Sequence, residues 1–147
     1  RVLHLIEVRR PVTVEVAVSV PAILSRASWE IAQPVKRKKM TEYQHTVFFG
    51  FDEDQLEPQE REKLLAFLKP VAEKDTRDIR IIGYSDDIGT DVYNLRLSEE
   101  RAKQIALVIM NKGLEVDHIY MEGKGEIKDD RPKELNRRVE VKITVME

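Results

Sequence analysis

Residues 83–102, GYSDDIGTDVYNLRLSEERA, constrain this chain more than any other stretch. Ahead of them, Ile79, Ile81 and Ile82 form a branched apolar run that reads as a strand over 78–85. Behind them, Arg101, Ala102, Ile105, Ala106, Val108 and Ile109 recur at helical spacing, so a helix is predicted over 91–112 with Gly113 as its stop. A strand that becomes a long helix across a few polar residues implies a sheet covered by helices. It also places Ser85, Asp86, Asn94 and Arg101 within reach of one another. Ser98-Glu99-Glu100 has the form of an internal N-cap, with acids at the positive end of a helix dipole. A kink is therefore expected near Leu97 and Ser98, with Arg101 in the first turn of a second helix.

The remaining segments fit the same plan. A strand is predicted over 2–8, and alternating valines from Val12 to Val20 predict another that Pro21 ends. Trp29 is the expected anchor of the stretch 22–32, and Lys36-Arg37-Lys38-Lys39 reads as a solvated connector. TVFFGF at 46–51 predicts a strand. Leu64, Leu65, Phe67, Leu68 and Val71 predict an amphipathic helix over 59–74, opened near Pro58 and kinked or frayed late by Pro70. Further strands are predicted over 118–123 and 138–146, separated by a charged loop over 124–135. From residue 46 the order is β-α-β-α-β-β. The expected class is α+β: two layers, a mixed sheet with helices on one face and a closing antiparallel pair, plus a partly β N-terminal extension over 1–45.

Composition narrows the function. The chain has 147 residues, enough for one domain with a real core, and a net charge of −2 with pI ≈ 6.0, which argues against nucleic acid. The charge is uneven: residues 1–45 hold eight Lys/Arg and four Asp/Glu, and residues 46–147 hold 17 and 23. The absence of cysteine excludes disulfides, thiolate zinc sites and a thiol nucleophile. It also excludes a lipidated cysteine within these residues. No apolar run approaches a membrane span of about 18–20 residues. The chain begins at Arg1, shows no signal peptide and is expected to be a piece of a longer protein, with any membrane attachment outside it.

Four segments together resemble the OmpA-like C-terminal domain, the cell-wall-binding module also found in peptidoglycan-associated lipoproteins and flagellar stator proteins. They are VFFGFDEDQLEP at 47–58, the stretch at 83–102, Gly123-x-Gly125-Glu126, and Asn136-Arg137-Arg138-Val139-Glu140. In order and spacing they cover essentially all of 46–147. The resemblance implies non-catalytic binding of peptidoglycan through the diaminopimelate of the stem peptide, in the periplasm of a diderm bacterium. It implies that Asp86 takes the ligand ammonium and that Arg101 takes its carboxylate with a planar fork. Ser85 and Asn94 would add polar contacts, and Arg137 would line the same site. Tyr84 stands where the family often has His. The loop 127–135, IKDDRPKEL, departs from the common proline-and-asparagine pattern and brings three acids near Arg137. Residues 1–45 inherit nothing from the resemblance.

Other readings are weaker. From the residues alone, Asp86 and Arg101 are equally a structural salt bridge. Adjacent Arg137 and Arg138 should point oppositely, so that only one faces the site, with Arg138 at the surface or the core edge. Asp87 reads as a turn residue and Tyr93 as a packing aromatic. Asp86 and Asp87 side by side on a turn rarely converge for acid–base work, and no nucleophile with a base accompanies them. His4, His45 and His118 lack metal spacing, and Gly123-x-Gly125 lacks the third glycine of a dinucleotide site. No enzyme activity, cofactor or metal is expected. The alternative function is an assembly module of a secretion, conjugation or motor complex, in which the 12–20 strand pairs with another envelope subunit or another copy.

Overall fold

The computed structural model describes residues 3–7 and 37–147. The predicted strand at 12–20, Trp29 and Lys36 lie outside the described residues. The elements are β1 (Leu3–Glu7), β2 (Met40–Phe48), α1 (Pro58–Ala72), β3 (Asp75–Ser85), α2 (Asp91–Asn111), β4 (His118–Glu126), α3 (Lys133–Asn136) and β5 (Arg138–Met146). The sheet order is β1-β4-β3-β5-β2. Among the described residues only β3 and β4 run parallel, linked through α2, and the other neighbours are antiparallel. The α+β class and the mixed sheet are as expected.

The core explains the order. In β5 every second residue, Val139, Val141, Ile143 and Val145, is fully buried. They join Ile79 and Ile81 of β3, Leu64, Leu68 and Val71 of α1, and Ala102, Ile105 and Ile109 of α2 in one cluster. Both long helices therefore cover the same face. A strand so thoroughly apolar on one side belongs in the middle, and β5 inserts between β3 and β2 rather than pairing with β4. On the other face, Arg80, Tyr120, Glu140 and Lys142 line an open hollow of about 510 Å³.

Several boundaries differ from expectation. β2 starts at Met40 and ends at Phe48, where 46–51 was predicted. It is an edge strand, and its inward Tyr43 and His45 are only half-buried, so its first half lacks apolar alternation. β3 begins three residues early because Thr76 tucks in, its hydroxyl donating to the Val71 carbonyl at 3.1 Å. The charged loop contains the short helix α3.

The largest correction concerns α2, which runs unbroken for 21 residues. Its cap is Thr90, whose Oγ accepts the Tyr93 N–H at 3.2 Å. Ser98 lies mid-helix. Its hydroxyl donates to the Leu95 carbonyl at 2.6 Å, a bond a helix interior tolerates, and accepts the Gly125 N–H at 2.9 Å. The helix crosses the strand ends here at very close range. A Cβ on Gly83 would stand 2.1 Å from the Ser98 carbonyl oxygen, and one on Gly123 would stand 2.5 Å from Glu99 N.

Candidate ligand-binding site

That crossing sets the site. It pins the N-terminal half of α2 against the ends of β3 and β4, so Asn94 and Arg101 face the turn carrying Ser85 and Asp86. Arg137, the residue before β5, enters from the side. All five predicted site residues thus lie at one end of the sheet, and the direct Asp86–Arg101 salt bridge left open as an alternative is not formed.

Arg101 is 0% exposed. Its Nε donates to the Glu53 carbonyl at 2.8 Å, Nη1 to the Tyr84 carbonyl at 3.2 Å and Nη2 to the Gly50 carbonyl at 3.1 Å. The guanidinium also stands 5.4 Å from the centre of the Phe49 ring. Burial lowers its pKa to about 10, an effect that the Asp86 charge opposes and the Arg137 charge reinforces. It remains cationic at neutral pH.

The direct ion-pair partner of Asp86 is Arg137, not Arg101. Arg137 Nη1 donates to Asp86 Oδ2 at 3.3 Å, and Arg137 Nε donates to the Phe49 carbonyl at 3.3 Å. Asp86 Oδ1 accepts the Ile88 N–H at 3.1 Å, which closes the turn between β3 and α2. Both side chains are largely shielded, at 17% and 6% exposure. Arg138 points away, stacking 4.7 Å from the Tyr84 ring centre and pairing with Glu140 at 3.1 Å. The alternation expected at 137 and 138 is what the geometry gives.

Ser85 is fully buried, and its Oγ has no hydrogen-bond partner. Asn94, also buried, donates from Nδ2 to Glu126 Oε2 at 3.0 Å. Sequence reasoning gave Glu126 no role, although it closes the Gly123-x-Gly125-Glu126 motif. Hydrogen bonds from Asp91, Asn94 and Lys128 hold the Glu126 carboxyl below its ordinary range, while Glu126 raises that of Asp91. Tyr93 is more than a packing aromatic: it is 46% exposed, and its hydroxyl donates to Asp52 Oδ1 across the two sides of the cleft.

The cleft has a volume of about 370 Å³. Asp52, Asp86, Asn94 and Arg101 contribute its polar lining, and Phe51, Ile88, Tyr93 and Leu97 its apolar lining. With Arg137 beside Asp86, two guanidiniums face two carboxylates, a balance suited to a ligand bearing both charges. Ser85 has no basic partner, and His45 and His118 lie on β2 and β4 outside this cleft.

Fold and cleft define a two-layer α+β domain whose charged side chains converge where the parallel strand pair meets its crossover helix. The OmpA family model matches residues 48–141, and the chain belongs to that family. It is 36% identical to outer membrane protein A of Bordetella avium over 102 residues, 65% of this chain and 53% of that protein. The chain thus spans about half the length of that relative, and a smaller share of others such as outer membrane protein P5 of Haemophilus influenzae, at 27%. Its fold is similar to that of the peptidoglycan-associated lipoprotein from Burkholderia pseudomallei, with a TM-score of 0.50 at 24% identity over 69% of this chain and 89% of that one. The OmpA-like domain of FopA1 from Francisella tularensis gives 0.54 at 21% identity, over 74% and 76%. β1 lies outside the matched residues and adds a fifth strand.

Proposed function

We propose that residues 46–147, with the start of β2 back to Met40, bind peptidoglycan without cutting it. They take the diaminopimelate of the stem peptide and so tie an envelope protein to the cell wall. The observation that carries this reading is the shielded Asp86 carboxylate beside two guanidiniums, in a chain of the OmpA family. A structurally similar protein is named for its association with peptidoglycan, which points the same way.

The chemistry is complementary. The free end of diaminopimelate carries an ammonium and a carboxylate. The ammonium meets Asp86. A guanidinium has five N–H groups and Arg101 spends three on carbonyls, leaving one on each Nη for the carboxylate. Arg137 supplies further donors, the unpartnered Ser85 Oγ a short polar contact, and Asn94 a side chain already held by Glu126. Each charge-assisted bond contributes about 1.5–3 kcal/mol, roughly tenfold to a hundredfold in affinity. A ligand of this kind places the domain in the periplasm of a diderm bacterium.

Sedimentation with purified sacculi tests the reading. Wild type should pellet, and Asp86→Asn, which keeps the turn bond to Ile88, should pellet at least tenfold less. Wild type left in the supernatant, or an unaffected variant, refutes it.

β1 favours an additional role. It extends the sheet beyond the matched region, so the residues ahead of β2 serve as a docking piece for another envelope subunit or another copy of this chain. Removing residues 1–36 should then turn an assembly of several copies into a monomer in solution. An unchanged monomer with full wall binding counts against this role.

A further inference from the structure

The segment 127–135 carries three cations, and they are held differently. Lys128 pairs with Glu126 at 3.1 Å and Arg131 with Asp129 at 2.8 Å, each two positions away. Asp129 also accepts from Asn136 at 2.9 Å, which folds the segment onto itself. Lys133, the first residue of α3, instead reaches Asp87 Oδ1, 46 positions back. Asp87 follows Asp86 in the same turn, so this ammonium stands just outside the cleft, whose lining includes Asp86 but neither Asp87 nor Lys133, and close enough to feel the Asp86 charge.

The two ion pairs at this turn differ in a way that matters for binding. Asp86 and Arg137 are shielded, whereas Lys133 and Asp87 are 51% and 38% exposed. An exposed pair adds little to stability, because water solvates either partner nearly as well. The Lys133 ammonium is therefore free to change partners at small cost. The Asp87 carboxyl is held low chiefly by the bond from Lys133, and the lysine is raised by Asp87 with a further contribution from Asp86, so both groups are charged at neutral pH.

A stem peptide carries more than the zwitterion. The glutamyl residue before diaminopimelate is linked through its side chain and keeps a free α-carboxylate. Resting on the diaminopimelate reading above, we propose that Lys133 leaves Asp87 to bind this second carboxylate, making it the residue that distinguishes a stem peptide from the free diamino acid. Asp87 then acts as a placeholder for the ligand and returns to water when the peptide arrives.

Titration calorimetry with three probes tests this: free diaminopimelate, the tripeptide alanyl-γ-glutamyl-diaminopimelate, and that tripeptide amidated at the glutamyl α-carboxyl. Wild type should prefer the acid tripeptide over its amide by roughly two- to fivefold, the upper range of a single partly exposed ion pair. Lys133→Met should abolish that preference and leave free diaminopimelate unchanged. Asp87→Asn should tighten the acid tripeptide alone. A Lys133→Met chain that keeps the preference, or loses all three probes alike, overturns the inference. Wild type that binds none of the probes overturns the diaminopimelate reading itself.

Discussion

Gly83→Ala probes the contact on which the site depends. A Cβ at this position would stand 2.1 Å from the Ser98 carbonyl oxygen, 3.0 Å from its carbon and 3.2 Å from Ala102 Cβ. The obstacle is helix backbone, so no rotamer change relieves it. α2 must lift by more than an ångström to restore an ordinary contact of 3.4 Å. That lift loosens Ala102 and Ile105, both fully buried, and overpacking of this kind costs about 1–3 kcal/mol or more. For a domain near 100 residues each kcal/mol lowers Tm by about 4–8 °C, so a fall of about 5–20 °C is expected in thermal melts followed by circular dichroism. The same lift draws Arg101 away from Gly50, Glu53 and Tyr84, and wall binding should fall below the wild-type level even at temperatures where the variant is folded. Gly113→Ala is the control. It meets nothing within 4 Å but has φ +67°, so it should cost only the left-handed backbone penalty of about 1–2 kcal/mol and leave binding intact. A Gly83→Ala chain that melts within about 0.5 kcal/mol of wild type would refute the close crossing.

Other outcomes follow from the same contacts. His45 stacks on Phe67 at 5.0 Å with a buried, unpartnered Nε2, and burial lowers its pKa against the pull of Glu60, with Lys63 adding to the fall. The unfolded chain therefore takes the proton first as pH drops below about 6.5, and stability is lost from there down through the folded pKa. Urea melts at pH 7.5 and 5.5 should show a smaller difference for His45→Phe than for wild type; an equal difference rejects the assignment. Glu126→Ala strands the buried Asn94 amide and should cost about 1–3 kcal/mol in the same melts, against less than about 1 kcal/mol for Glu126→Gln, which still accepts. Tyr93→Phe releases Asp52, so amide exchange at Glu53, bonded to the Gly50 carbonyl at 3.2 Å, should quicken; unchanged protection would show that the loop needs no tyrosine.

Much of this fold is readable in the chain because its central elements are patterned without interruption. Val139, Val141, Ile143 and Val145 specify a strand with one buried face, and the two long helices repeat apolar residues at three and four positions. β2 is harder, since an edge strand with Glu42 and Gln44 outward and half-buried Tyr43 and His45 inward lacks a clean period. Ser98 misleads for a different reason. Its sequence context is that of a cap, but its hydroxyl is engaged by Gly125, and the approach of Gly83 and Gly123 holds the helix straight past it. Those three glycines are over 12 residues from Ser98 in sequence, so only the folded chain joins them. Within the site, Asp86 and Arg101 are found through the family motif. The Arg137 and Lys133 pairings depend on α3, a four-residue helix too short to leave a periodic signal.

The pairing the structure adopts suits the proposed binding site better than the Asp86–Arg101 salt bridge of the alternative reading. A direct Asp86–Arg101 salt bridge would let each charge satisfy the other and leave a ligand to break it. Here Arg101 is held by neutral carbonyls, which fix its plane but cancel none of its charge. Its burial strengthens the field it exerts, and at about 10 its pKa still lies well above neutrality. Asp86 in turn keeps acceptor capacity, because one oxygen takes a single N–H from Ile88 and the other a long 3.3 Å bond from Arg137. Both charges are thus positioned by the fold, and neither is spent on the other. Binding then requires little reordering of side chains, so the entropy of positioning falls on folding rather than on recognition.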